Sequence, residues 1–197
     1  LFNLGNLAQM AKESMKSNSK EDSKLQIEDY WILSKWNKVK RAVNEQMNAF
    51  RIDYALEPLI DFIVNDFSRT YVKIAKPRIL DESDNAAYTT FMTILKELSL
   101  VLAIFTPFIS EYLYSIIEKR GYAILNDFPS IREDLIDEDL DKRFENSIRL
   151  VQDILAAREA IKVPLKRPLL EVTLLGIDKN QIEEEIIKKM GNVLSIS

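Results

Sequence analysis

Arg69, Lys73 and Lys76 fall at i, i+4 and i+7, a spacing that puts three bases on one helix face. Lys35, Lys38 and Arg41 repeat the idea at i, i+3 and i+6. A third basic group, Lys162, Lys166 and Arg167, lies in a stretch (161–168) that holds no acid. If the first two helices pack side by side, their six bases could form one patch. Such a patch suits phosphate contacts, which supply affinity and register rather than sequence reading. An ordinary solvated helix face accounts for the same spacing, and both readings stay open at this level. Tyr30, Trp31 and Trp36 carry rings able to stack on an unpaired base. Trp36 also lies on an apolar stripe and reads as core; the exposure of Tyr30 and Trp31 at the helix start is undetermined.

Other chemistry is thin. The chain contains no His and no Cys. That removes Ser-His-Asp triads, imidazole acid/base work, thiol chemistry and Cys/His zinc sites. A di-iron bundle site needs Glu-x-x-His pairs and is out. Carboxylate pairs such as Glu28/Asp29 and Asp137/Glu138/Asp139 lie in polar runs, whereas acid/base work needs one desolvated partner. Gly5, Gly121, Gly176 and Gly191 are isolated, so no glycine loop cradles a phosphate. Residues 15–20 (MKSNSK) echo a synthetase lysine loop in the wrong order, which reads as chance.

The net charge is −4, unevenly spread. Residues 132–145 hold seven acids against three bases, while 25–80 hold nine bases against seven acids, so an acidic total hides local basic surface.

These side chains need helices to position them. Residues 1–15 are weakly helical, and 16–24 read as a polar, serine-rich mobile loop. Asp29 caps the next helix, whose stripe runs Ile32, Trp36, Val39, Val43, Met47. A third helix is expected over about 53–75, with a stripe of Leu56, Leu59/Ile60, Ile63, Phe67, Tyr71 and Ile74. Pro58 fits only its first turn, and Pro77 ends it. The fourth helix carries Phe91, Leu95, Leu98, Leu102 and Phe105. Thr106-Pro107 interrupts it, and a fifth runs to Gly121 as a C-cap. Residues 122–139 read as a loop. The sixth helix covers about 140–160 through Phe144, Ile148, Val151 and Leu155. After Pro164 the pattern changes to a strand (169–175), a short helix (178–190) and a second strand (193–196).

The chain of 197 residues can bury about 70% of its unfolded surface without a staple. Four Gly and six Pro are too few for an all-β fold. No apolar run reaches the ~18 residues of a membrane span, and there is no signal-peptide pattern. The expected fold is mainly α: an antiparallel helical bundle followed by a small C-terminal α/β appendage. The expected division is a leading helix and linker (1–28), the bundle (29–160) and an incomplete α/β module (161–197). Beginning at Leu1, the chain reads as a piece of a longer protein.

Three segments carry a resemblance. Residues 29–36 (DYWILSKW) resemble D-R-W-I-L-S-R-L, which opens the anticodon-binding helical domain of class I aminoacyl-tRNA synthetases of the isoleucine, valine and leucine group. Residues 65–78 (NDFSRTYVKIAKPR) are similar to that domain's N-D-L-S-R-W-Y-I-K-L-x-R-x-R helix. Residues 98–114 (LSLVLAIFTPFISEYLY) are similar to L-x-x-L-L-A-P-F-T-P-F-L-S-E-E-L-Y. Order and spacing agree over 29–114. Residues 136–143 (IDEDLDKR) and 151–169 (VQDILAAREAIKVPLKRPL) resemble the isoleucine branch, nearest its archaeal and eukaryotic members. Thr70 stands where the family usually has Trp, Ile104 replaces a Pro, and Pro77 splits Lys76 from Arg78.

The resemblance implies a bundle that holds the anticodon stem and loop of an isoleucine-acceptor tRNA, with Arg69, Lys73, Lys76 and Arg78 in the basic-helix positions. Lys35 and Lys38 lie near the signature helix, and Lys162, Lys166 and Arg167 complete the candidate tRNA contacts. It implies a cytoplasmic parent that ligates isoleucine to tRNA using ATP, with Mg, in an upstream Rossmann-type catalytic domain. This chain lacks that domain's H-x-G-H and K-M-S-K-S motifs, so no catalytic residue, cofactor or metal is assigned to it. The partners implied are tRNA and the parent catalytic domain, with no membrane. The alternatives are the equivalent region of a valine or leucine enzyme, or a structural helical bundle that meets a protein partner without RNA.

Overall fold

The computed structural model describes residues 1–15 and 23–197. Most of the segment read as a mobile loop, and nearly all of MKSNSK, therefore lies outside the described residues. Helices dominate, as expected. The chain forms two compact units, Leu1–Ile136 and Asp137–Ser197. Helix 138–160 thus belongs with the C-terminal unit, whereas the sequence pattern grouped it with the bundle.

In the first unit, α1 (Phe2–Ser14) packs against α6 (Pro107–Ile117). Gly5 marks the closest approach: a Cβ there would meet Ile116 and Tyr112 at 3.0 Å. Helix α2 (Ile27–Asn48) starts at Gln26, not at Asp29. Asp29 instead reaches back from the third position, accepting the Gln26 N–H at 2.9 Å. Helix α5 (Asn85–Leu102) is capped by Asp84, which accepts the Ala87 N–H, and it packs on α6. Phe91, Leu95, Leu98 and Leu102 are buried, as their spacing requires. Pro107 opens α6 in the first turn. That helix ends at Ile117, short of Gly121, whose φ of 97° serves a turn beyond it.

The expected third helix is where structure and periodicity part. It comprises α3 (Ile52–Asp61), a ten-residue π-helix (Phe62–Tyr71) and α4 (Val72–Ile79). A π-helix bonds i to i+5, so each turn takes one more residue and an α-spaced stripe slides. The buried set is Ala55, Leu59, Phe62, Ile63, Phe67, Tyr71, Ala75 and Ile79. Leu56 and Ile74 are only half-buried, and Ile60 is 54% exposed. Ser68 Oγ donates to Ile63 O at 2.6 Å and Thr70 Oγ1 to Asn65 O at 2.8 Å, both five residues back. Phe62, Phe67 and Tyr71 stack in series at 5.8 and 5.9 Å, and Phe67 stacks on Phe91 at 5.6 Å. This aromatic column replaces the simple stripe.

Both prolines sit inside helices, contrary to the sequence reading. Pro58 lies in the second half of α3, and α4 continues past Pro77 to Ile79. Each proline removes one i to i−4 backbone bond, to Tyr54 and to Lys73, and both of those residues are exposed.

In the second unit, α7 (Glu138–Ala160) precedes β1 (Leu169–Val172), α8 (Glu184–Gly191) and β2 (Val193–Ile196). The strands pair in parallel, Leu169 with Val193 and Val172 with Ile196, the β-α-β arrangement expected. β1 is shorter than expected, and a 3-10 turn (Lys179–Gln181) precedes α8. Val151 and Ile154 of α7 form one core with Ile182, Ile187, Val193 and Ile196. That shared core is why α7 belongs to this unit.

Candidate nucleic-acid interface

On the first unit, Arg69 lies in the last turn of the π-helix, and Lys73 and Lys76 follow on α4; all three residues are exposed. Arg69 Nη1 donates to Asn65 Oδ1 at 3.3 Å, and Asn65 Nδ2 donates to Asp61 at 2.6 Å. These three bases remain available to an external anion.

Arg78 is different. Its guanidinium donates to Glu28 at 3.0 Å, to Asp29 at 2.8 Å and to Asp84 at 2.7 Å. Glu28 and Asp29 are fully buried, and Tyr71 donates its hydroxyl to Asp29 at 2.9 Å. Burial and the neighbouring Asp29 carboxylate drive the Tyr71 hydroxyl's pKa far upward. Burial opposes the charge on Arg78, but its hydrogen bonds to Asp29 and Asp84 outweigh that and raise its pKa. Burial would likewise raise Asp84, yet the Ala87 N–H, Arg78 and the Ser23 hydroxyl hold it below the usual carboxylate range. Arg78 therefore joins α2, the π-helix, α4 and the start of α5, and its donors are spent inside the molecule. We count it as a scaffold for the basic helix rather than a phosphate contact.

On α2, Lys35 and Lys38 are half-buried, and Arg41 pairs with Glu133 at 3.0 Å. α2 packs against α3 and the π-helix, whereas Lys73 and Lys76 lie on α4. Trp31 and Trp36 are both buried, so neither ring is free to stack; Tyr30 is about half exposed. The sequence reading missed Lys40. It is 2% exposed, and its Nζ donates to Glu97 at 2.8 Å and to Ser130 O at 2.6 Å. Trp36 Nε1 donates to the same Glu97 oxygen at 2.7 Å. The group borders a cavity of about 280 Å³ whose lining includes Asn37, Thr89, Thr93 and Arg132. A lysine four residues after a core tryptophan was the available signal.

On the second unit, Lys162, Lys166 and Arg167 are exposed around the end of α7. The Lys162 N–H bonds Glu159 O and the Val163 N–H bonds Arg158 O, a Schellman closure with Lys162 at φ 56°. Arg158 underlies this loop and donates to four carbonyls: Pro164, Arg167, Gly191 and Asn192.

Residues 29–174 match the family described as the anticodon-binding domain of tRNA ligase. The chain belongs to that family. It is 32% identical to the isoleucine–tRNA ligase of Methanocaldococcus jannaschii, over 95% of this chain and 19% of the relative. The isoleucine–tRNA ligase of Pyrococcus horikoshii is 31% identical, over 86% of this chain and 16% of the relative. The valine–tRNA ligase of Thermotoga maritima is 27% identical, over 88% and 20%. The chain thus spans less than a fifth of the isoleucine enzymes it resembles. Every basic residue discussed above falls within the matched anticodon-binding region. The structure also gives its signature residues physical roles. Asp29 of DYWILSKW meets Tyr71 and Arg78 of the 65–78 segment. In the 98–114 segment, Ser110 Oγ donates to Ser99 O at 2.6 Å, and Glu111 accepts the N–H groups of Ala123 and Ile124. No helix among the described residues is long and apolar enough to cross a membrane.

Proposed function

We propose that this anticodon-binding domain holds the anticodon stem and loop of an isoleucine-acceptor tRNA within a cytoplasmic isoleucine–tRNA ligase. Similarity to isoleucine enzymes over nearly the whole chain carries the reading. Arg69, Lys73 and Lys76 supply phosphate contacts on the first unit, and Lys162, Lys166 and Arg167 supply them on the second. Lys35 and Lys38 on α2 are further candidates for phosphate contact. Isoleucine activation, with its ATP and Mg, falls in this reading to the parts of the ligase beyond the matched region. The chain's own work is binding and register.

The valine relative keeps a second amino-acid specificity in play. Competition between isoleucine and valine tRNA transcripts for the chain, read by fluorescence anisotropy, tests both. Tighter binding of the isoleucine transcript is the expected result. Preference for the valine transcript would move the assignment, and no tRNA binding at low salt would remove it.

A further inference from the structure

We propose that Arg158 is a positioning residue that pre-organises the 162–167 loop as a phosphate clamp, with Asn192 as its second support. This rests on the tRNA reading and goes on to say how one of its contact sites is built.

Arg158 is 3% exposed in the last turn of α7. Nη1 donates to Pro164 O at 3.3 Å and to Arg167 O at 2.8 Å, both in the loop. Nη2 donates to Gly191 O at 2.9 Å and to Asn192 O at 2.8 Å, at the end of α8. Asn192 Nδ2 donates to Leu165 O at 2.8 Å, from a residue itself left-handed at φ 50°. Three loop carbonyls, at 164, 165 and 167, are therefore tied to two side chains. With the carbonyls held inward, Lys162, Lys166 and Arg167 stay exposed on a backbone that is fixed before any ligand arrives. Such pre-organisation lowers the ordering cost of binding. Lys162 is held left-handed, a conformation that costs a non-glycine residue energy and persists where its surroundings over-determine it.

Charge points the same way. The partners of Arg158 are neutral carbonyls, and among the described residues no carboxylate lies within ion-pair distance of it. Its Nε is buried without a partner. Gly191 and Asn192 offer the negative end of α8, which eases the burial without cancelling the net charge. Arg158, Lys162, Lys166 and Arg167 thus face only Glu159 in their own segment. That leaves a local positive potential for a polyanion to complete.

The test uses the 197-residue chain, an isoleucine tRNA transcript and anisotropy titrations across salt concentration. The K162A/K166A/R167A variant should flatten the salt slope by about 2–2.7, the worth of three phosphate contacts. Arg158→Gln keeps those three bases yet should weaken binding severalfold and flatten the slope by about 1 or more. Placed on the loop-triple background, Arg158→Gln should cost much less than in the wild type, because most of its effect passes through the loop and only its own charge remains to be lost. Asn192→Gly preserves the left-handed turn, removes the tie to Leu165, and should reproduce part of the loss; it decides the matter if Arg158→Gln fails to fold. Unchanged slopes in the folded single variants would overturn the proposal, as would an equal cost of Arg158→Gln in both backgrounds. A silent loop triple beside a weakened Arg69/Lys73/Lys76 triple overturns the clamp alone. Two silent triples overturn the tRNA reading with it.

Discussion

Arg78 in the first unit and Arg158 in the second are both largely buried, and they use the same guanidinium in opposite ways. Arg78 meets three carboxylates, two of them fully buried, so its charge is consumed in joining helices. Arg158 meets four carbonyl oxygens, so its hydrogen bonds are spent on shape while its charge remains. The first arginine holds a basic helix in place; the second holds a basic loop and adds to its field. A basic residue in a family motif is therefore not by that fact a nucleic-acid contact. Its partners decide.

The largest effect expected is at Arg78. Arg78→Met removes the guanidinium that pairs with the buried Glu28 and Asp29, and breaking a buried pair this way costs about 3–5 kcal/mol. Urea unfolding measures it, and a loss below about 1 kcal/mol would show that the network is not the scaffold described. Leu98→Ala, in the α5 core, should cost about 2–5 kcal/mol in the same assay.

The first unit should also answer to pH. Asp84 is held low in the folded state, so its contribution is complete above the unfolded carboxylate pKa of about 3.9 and fades as pH falls below it. Tyr71 is held high, so its contribution is complete below about pH 10 and fades as pH rises beyond that value. Chemical denaturation between pH 3 and 11 should show both flanks, and an Asp84→Asn variant should lose part of the acid flank. An acid limb identical in wild type and variant would contradict the role of Asp84.

The smallest effects lie where α2 and α7 end alike. Each closes in a Schellman turn with a non-glycine residue left-handed: Phe50, 91% exposed, and Lys162. Glycine removes the strain but loses more chain entropy, so Phe50→Gly and Lys162→Gly should each stabilise by about 0.5 kcal/mol. Thermal melting reads both. Under the proposed tRNA contact at 162–167, only Lys162→Gly should also lower tRNA affinity; an equal loss for Phe50→Gly would contradict that contact.

Much of this was legible in the residues. Phe91 to Leu102 fixed α5 because a long α-spaced stripe has one good way to be buried. The parallel β-α-β tail followed from Pro164 and the strand-like runs. What escaped was the π-helix, since an i, i+5 pairing such as Phe62 and Phe67 is invisible to a search at period 3.6. Pro58 and Pro77 mislead because a proline costs a helix one backbone bond but does not have to end it. The i, i+4, i+7 spacing puts Arg69, Lys73 and Lys76 on one face, and all three are exposed. Arg78 and Lys40 were not legible, because their fates depend on carboxylates distant in sequence at 28, 29 and 97.

The claim that exposed bases on a buried ionic scaffold meet tRNA is tested most directly by one comparison. Wild type and the Arg69/Lys73/Lys76→Ala variant are titrated with tRNA at two salt concentrations, after unfolding curves establish that both are folded. The account expects weaker binding and a salt slope flattened by about 0.7–0.9 for each phosphate that a base no longer neutralises. Equal affinity with equal slope would contradict it and leave the stripe a solvated helix face.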